Sequence, residues 1–311
     1  MEYFYWFIIL FGALIVVFLL EHYIFKINTF KPLNKIIISR IAHCGLFIAV
    51  AIILQLLSNS VFAFSRYLQF PLSNIPLAYT GFLFGPFYGF LSGIIYDCLN
   101  TLFGVINGAY HPGFTFVSGC YGLIPGFLVL LIVKFYKFFH KYGFFIIWGL
   151  ILAVLTWIII YTILNQNTLA DKLSLSKTVF FSIYFSVIFI FYSVVLILFI
   201  YNFKKNNIRN INLFHLIFLT FFFEMIFVSF FLTPILLKQI YGVPVSVWLL
   251  VRITISPLTF GLVALFTVLI TYRLKNVITA DKMLYYVMNP KVKILNTSTM
   301  NDNNIKQKNT Q

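Results

Sequence analysis

Charge is what this sequence has least of. Only 9% of its 311 residues are Asp, Glu, Lys or Arg, while 61% are hydrophobic. A water-soluble domain carries about 25% charged residues, so this chain cannot clothe a solvated surface and the soluble classes are excluded. Cysteine is scarce too. Cys44, Cys98 and Cys120 lie inside apolar runs with no paired spacing, which supports neither a disulfide framework nor a metal site. No glycine is followed by lysine, so the Walker A phosphate loop is missing and any ATP hydrolysis belongs to another polypeptide. H-E-x-x-H, G-x-S-x-G and the G-x-G-D of intramembrane aspartyl proteases are absent as well. The five histidines are scattered, and no metal, cofactor or catalytic residue is expected.

What the chain has instead is apolar length. Runs close to the roughly 20 residues that cross a bilayer recur at 3–24, 38–57, 70–84, 86–103, 114–133, 144–164, 179–201, 213–237 and 245–272. The expected fold is therefore an all-α polytopic membrane protein of about nine spans. The start, "MEYFYWFIIL", has Glu2 in place of a basic leader and no small-residue cleavage site, so it reads as a retained helix. The net charge of +15 sits between the runs, where membrane topology places it, and not in a patch interleaved with stacking aromatics. Nucleic acid is not an expected partner.

The placement of that charge predicts an orientation. Lys26, Lys31, Lys35 and Arg40, then Lys134, Lys137 and Lys141, then Lys204, Lys205 and Arg209, share one side with all the basic residues from Arg273 onward. Only Arg66, Lys172, Lys177, Lys238 and Arg252 fall on the other. The positive side is cytoplasmic, which puts the N-terminus outside and the C-terminus inside. The polar, Asn- and Lys-rich end, 276–311, reads as a largely disordered cytoplasmic tail.

One stretch, "GFLFGPFYGFLSGIIYD", places Gly81, Gly85, Gly89, Gly93 and Asp97 at fourfold spacing, on one helix face. Small residues let backbones approach closely where lipid supplies no hydrophobic drive for helix association. Proline cannot continue a helix from within, so Gly85-Pro86 predicts a broken hairpin. Asp97 is different. A carboxylate at the bilayer centre costs about 2.5–3.5 kcal/mol on insertion scales, so it faces protein or a cavity. Two readings stay open: hydrogen bonds between helices, or contact with a ligand. Asn100 lies one turn further on nearly the same face. Glu224 stands mid-span and reads as a structural or coupling carboxyl. On 38–57, Ala42, Gly45 and Ala49 form a shallow face.

Three longer stretches resemble the folate-type S components, the substrate-binding membrane subunits of energy-coupling-factor (ECF) vitamin transporters. They are "QFPLSNIPLAYTGFLFGPFYGFLSGIIYDCL" (69–99), "GAYHPGFTFVSGCYGLIPGF" (108–127) and "TPILLKQIYGVPVSVWLLVR" (233–252). The resemblance implies a six-helix core, with four helices in 38–133 and two in 213–275. Residues 1–37 would then add an N-terminal helix and linker, and 134–212 an inserted two-helix hairpin. It implies vitamin binding and uptake, folate first, with no enzymatic activity of the chain's own. Its partners would be a transmembrane coupling subunit and two ABC ATPase subunits, in the cytoplasmic membrane of a bacterial cell.

The resemblance also suggests the ligand side: Arg66, Gln69, Tyr110, His111, Phe114, Thr115, Thr233, Lys238, Tyr241 and Arg252. Aromatic rings would stack on a pterin while Arg and Lys pair with carboxylates. Arg252 is foremost, because it lies within the last span. Ala42, Gly45 and Ala49 would dock the coupling subunit. Leu232 and Pro234 flank Thr233, where the family has Asn before it and an aromatic shortly after. That departure leaves another vitamin or heterocycle open. Two other classes stay open as well: an intramembrane hydrolase pairing Asp97 with Glu224, and a structural membrane protein.

Overall fold

The computed structural model describes residues 2–24, 35–61, 71–104, 110–135, 208–242 and 244–274, with single helical positions between 138 and 193. Within them the chain is helical apart from short turns and has no strand. The helices are α1 (Glu2–Leu19), α2 (Lys35–Val61), α3 (Asn74–Phe84), α4 (Pro86–Leu102), α5 (Pro112–Lys134), α6 (Ile208–Glu224), α7 (Thr233–Tyr241) and α8 (Val245–Leu274). Leu20–Ile24 continues α1 as π-helix, and Met225–Leu232 joins α6 to α7 in the same form. Five helical stretches are long and apolar enough to cross a membrane: Tyr3–His22, Ile38–Ser60, Pro112–Lys134, Phe214–Tyr241 and Ile255–Leu274. The protein is a polytopic membrane protein. The expected spans 144–164 and 179–201 and the tail 276–311 lie outside the described residues, apart from those single positions.

The expected span at 70–84 is only 11 residues of helix, about 16 Å at 1.5 Å per residue. That is half of a hydrocarbon core about 30 Å thick. What stops it is Gly85, with φ 103° and ψ 174°, a backbone region open only to glycine. The Gly85 N–H donates to the Gly81 carbonyl at 3.0 Å, and the Gly85 carbonyl accepts from the Gly89 N–H at 3.0 Å. Pro86 then starts α4, where its missing N–H costs nothing.

The glycine stripe finds a second one. A Cβ on Gly81 would strike the Gly122 carbonyl and come within 2.9 Å of the Gly126 nitrogen. One on Gly89 would strike Gly122, one on Gly93 the Ser118 carbonyl, and one on Gly126 the backbone of Pro86. Backbone meets backbone along the whole α3–α4 hairpin and α5. Around this seam pack the fully buried Phe82, Leu216, Ile217, Phe221 and Ile253, bringing α6 and α8 onto α3 and α5. The Tyr79 hydroxyl on α3 ties to Thr271 on α8.

The long α6–α7 run bends its hydrogen bonding without breaking. Pro234 lacks an N–H, and its ring would clash with the carbonyl four residues back in a regular helix. The π segment absorbs that conflict, and both the Thr233 N–H and its Oγ1, at 2.8 Å, donate to the Val228 carbonyl five residues back.

Helix α1 lies on the same body. Phe18 packs edge-on to Phe87 with centroids 5.7 Å apart, and at the other end the Trp6 Nε1–H donates to Gln239 Oε1 at 3.0 Å. The start of α1 thereby shares one end of the bundle, here the upper end, with the start of α5 and the α7–α8 turn at Gly242.

Candidate functional site

Three groups of polar side chains, buried or partly buried, stand out within the bundle. The first surrounds Asp97, which is 4% exposed. Gly93 brings α4 against the backbone of Ser118 and Gly119, so Asp97, one turn on, meets α5 directly. Thr115 Oγ1 donates to Asp97 Oδ2 at 2.7 Å and Ser118 Oγ to Oδ1 at 3.3 Å. The Tyr110 hydroxyl lies 3.1 Å from Thr115 Oγ1. A threonine hydroxyl has one proton, and with that committed to Asp97 the phenol is the donor. Burial raises the Tyr110 pKa above its ordinary value, which keeps that proton in place. Of the two readings of Asp97, the hydrogen bonds between helices are what the geometry contains.

The second group joins α2, α3 and α4. Gln55 Oε1 accepts from Ser73 Oγ at 2.9 Å and from the Tyr96 hydroxyl at 3.3 Å, while its Nε2 donates to Asn59 at 2.9 Å. Ser73 precedes α3 but leaves its N-terminus uncapped, because its hydroxyl is drawn to Gln55.

The third group lies where α3, α5, α6 and α8 meet, around the ring of Tyr121. Arg252, Glu224 and Asn74 all reach that ring's hydroxyl electrostatically or by hydrogen-bonding proximity. Glu224 is 0% exposed, and neither of its carboxyl oxygens has a hydrogen-bond partner. Asn74 lies toward the Tyr121 hydroxyl, and Trp248 Nε1, whose ring is 6.1 Å from that of Tyr241, is buried without a partner. Trp248 stands one turn before Arg252 on α8, on the same face. A buried polar group without a partner costs about 1–3 kcal/mol, and more when charged. A cluster of them is the arrangement a polar ligand would complete.

The residues singled out from the sequence divide accordingly. Arg252 is half-buried beside Tyr121. Thr115 and Thr233 have their hydroxyls engaged within the fold, on Asp97 and Val228. His111 caps α5, its Nδ1 accepting the Gly113 N–H at 3.1 Å, with Tyr3 (4.9 Å), Phe114 (6.2 Å) and Trp6 (6.3 Å) around its ring. Lys238 and Tyr241 are exposed at the upper end, where Tyr241 sits 6.1 Å from Trp248. Arg66 and Gln69 lie outside the described residues. Asn100 is fully buried, one turn on from Tyr96 and beside its hydroxyl. Ala42, Gly45 and Ala49 all face out of the bundle, and a Cβ on Gly45 would meet nothing within 4 Å.

Sequence reasoning passed over Gln55, Ser73, Asn74, Tyr121 and Trp248. Asn74, ahead of Ile75-Pro76, was the one legible signal, a polar residue opening an apolar helix. Tyr121 and Trp248 were hidden among aromatics that make up 20% of the chain. Among the described residues no three of His, Cys, Asp and Glu gather as metal ligands. Set against family models, curated proteins and solved structures, the chain matches none.

Proposed function

We propose that this protein is the vitamin-binding S component of an energy-coupling-factor transporter, with folate the first candidate ligand. The observation that carries the reading is the Tyr121 junction. Each of the three stretches that resemble the S components contributes to it: Asn74 from the first, Tyr121 from the second and Arg252 from the third. Residues far apart in sequence converge on unpartnered buried polar atoms, with an arginine beside them. A heteroaromatic ligand carrying a carboxylate offers partners of the matching kind.

On this reading the core comprises 38–133 and 213–275, with α1 and the 134–212 hairpin as additions. The upper end faces outside, the C-terminus is cytoplasmic, and the membrane is that of a bacterial cell. The chain carries no phosphate loop, so a coupling subunit and two ABC ATPases supply the energy. The outward-facing Ala42, Gly45 and Ala49 leave α2 free to dock the coupling subunit. The hydrolase reading asks for Asp97 and Glu224 side by side. Asp97 is instead held by Thr115 and Ser118, whereas Glu224 lies by Cys120 and Tyr121.

The test is thermal unfolding of the detergent-solubilised protein against folate, reduced and formyl folates, riboflavin, thiamine and biotin. A ligand at 100 times its dissociation constant adds about 2.7 kcal/mol of stability. The expected result is a folate-selective shift that Arg252→Ala abolishes. A selective shift with another vitamin would replace the substrate and keep the class. No shift with any of them, in folded protein, would discard the transporter reading in favour of a structural role.

A further inference from the structure

We infer that α1 carries the latch of a hinged segment: the indole of Trp6 holds α7 closed over the upper approach to the Tyr121 junction, and ligand passes when that contact opens. The inference deepens the vitamin-binding reading above and rests on it. It gives a role to a helix that lies outside the six-helix core implied by the resemblance.

Helix α7 is nine residues long and is bounded by two breaks in regular helix. Ahead of it runs the π segment, with Pro234 in its own first turn, and behind it stands Gly242 at φ 68°, in the left-handed region that favours glycine. π turns within helices recur at functional sites, and hinges fall at element ends, where a few residues absorb the change in backbone angle. The Ser229 hydroxyl is hydrogen-bonded to that of Ser256 on α8, so the π segment stays with the bundle and movement begins beyond it.

The inner side of α7 covers the way down. Leu236 is fully buried and lies on Gly113, in the first turn of α5, where a Cβ would strike its side chain. Leu236 and Val228 join Val117 and Cys120 of α5 in one apolar cluster, and both Trp6 and Tyr121 pack against it. The neighbouring α4–α5 seam is backbone on backbone, a close approach with no side chain to turn aside. Between α5 and α7 the filler is a leucine side chain, which can. Trp6 keeps it in place. Its Nε1–H donates to Gln239 on α7 at 3.0 Å, while its ring lies 6.3 Å from Phe116 and 6.3 Å from His111 on the α5 side. One side chain thus bridges both walls of the seam, and Tyr3, 4.9 Å from His111, braces the same end of α1.

The test measures hydrogen–deuterium exchange and ligand kinetics on the full-length protein in detergent. The probe is folate; where the thermal panel selects another vitamin, that one takes its place. Trp6→Phe removes the N–H and keeps a ring, and Gln239→Leu removes the acceptor. In wild type the amides of 233–241 are expected to open separately from those of the α3–α5 seam. Either variant should speed their exchange by about 2- to 12-fold, the net worth of one hydrogen bond, and the double variant should go little further, since all three lack the same bond. Ligand should enter and leave faster by a similar factor, with its dissociation constant nearly unchanged, because a latch closed in both the free and the bound protein acts on rates. A strut that only stabilised the fold would leave the association rate at its wild-type value.

If 233–241 exchanges only together with the α3–α5 seam, or if both variants bind ligand at the wild-type association rate, the latch is refuted and the transporter reading stands. If wild type binds none of the vitamins, both fall. The exchange pattern of wild type tests the hinge even if a variant does not fold.

Discussion

At the scale of single residues, the decisive atoms are the ones that are missing. Gly122 faces Gly89 so closely that any Cβ would meet the Gly89 carbonyl, which is backbone and cannot rotate away. Gly122→Ala is therefore expected to lower stability by about 1–3 kcal/mol or more, the cost of overpacking. Gly12 has nothing within 4 Å, and Gly12→Ala should leave stability unchanged or raise it by up to about 1 kcal/mol. Thermal unfolding of the two variants side by side checks the pair. Equal melting temperatures would refute the seam. Asp97 belongs to the same seam, since the approach that Gly93 permits is what delivers its carboxylate to Thr115 and Ser118.

At the scale of elements, α1 and the α6–α7 run carry the information. Helix α1 exposes most of its apolar surface, with Phe4 at 68% and Phe11 at 63%, yet its two ends are fixed by particular contacts. Loss of the Trp6–Gln239 hydrogen bond in Trp6→Phe is expected to cost about 0.5–1.5 kcal/mol. Gln239→Leu should cost a similar amount, and the double variant should cost less than the sum of the two, because they share one bond. Additive losses would mean that the two side chains do not meet. The π segment, in turn, gives Thr233 its place. A side chain that the family resemblance puts near the ligand here closes a widened turn ahead of Pro234, its hydroxyl on Val228.

At the scale of the whole molecule, the exposed surface of α1 and α2 is apolar, as a bilayer demands: Ile38, Ile41, Leu46, Ile53 and Leu57 are all more than half exposed. The proposed orientation rests on the basic residues and is separately testable. In a variant lacking Cys44, Cys98 and Cys120, single cysteines introduced at Lys238 and at Lys293 should label from opposite sides of intact cells. An impermeant maleimide should reach the first and not the second. The reverse pattern would invert the topology and move the Tyr121 junction to the cytoplasmic half.

The sequence by itself determined the class and most helix limits, because apolar length and the Gly85-Pro86 break are local properties. The expected 86–103, 114–133 and 245–272 correspond to Pro86–Leu102, Pro112–Lys134 and Val245–Leu274. It also marked Asp97, Glu224 and Arg252, since a charge within an apolar run is conspicuous in any context. Tertiary structure alone decided which neighbours each of them has. Asp97 is hydrogen-bonded and Glu224 is not, a difference invisible in two mid-span carboxylates. It arises because α4 meets hydroxyls on α5, whereas neither oxygen of Glu224 meets a hydrogen-bonding group. Asn74, Glu224 and Arg252 became a group only when four helices brought them around the ring of Tyr121. Partnering is a property of neighbours in space, and the chain order of these residues does not contain it.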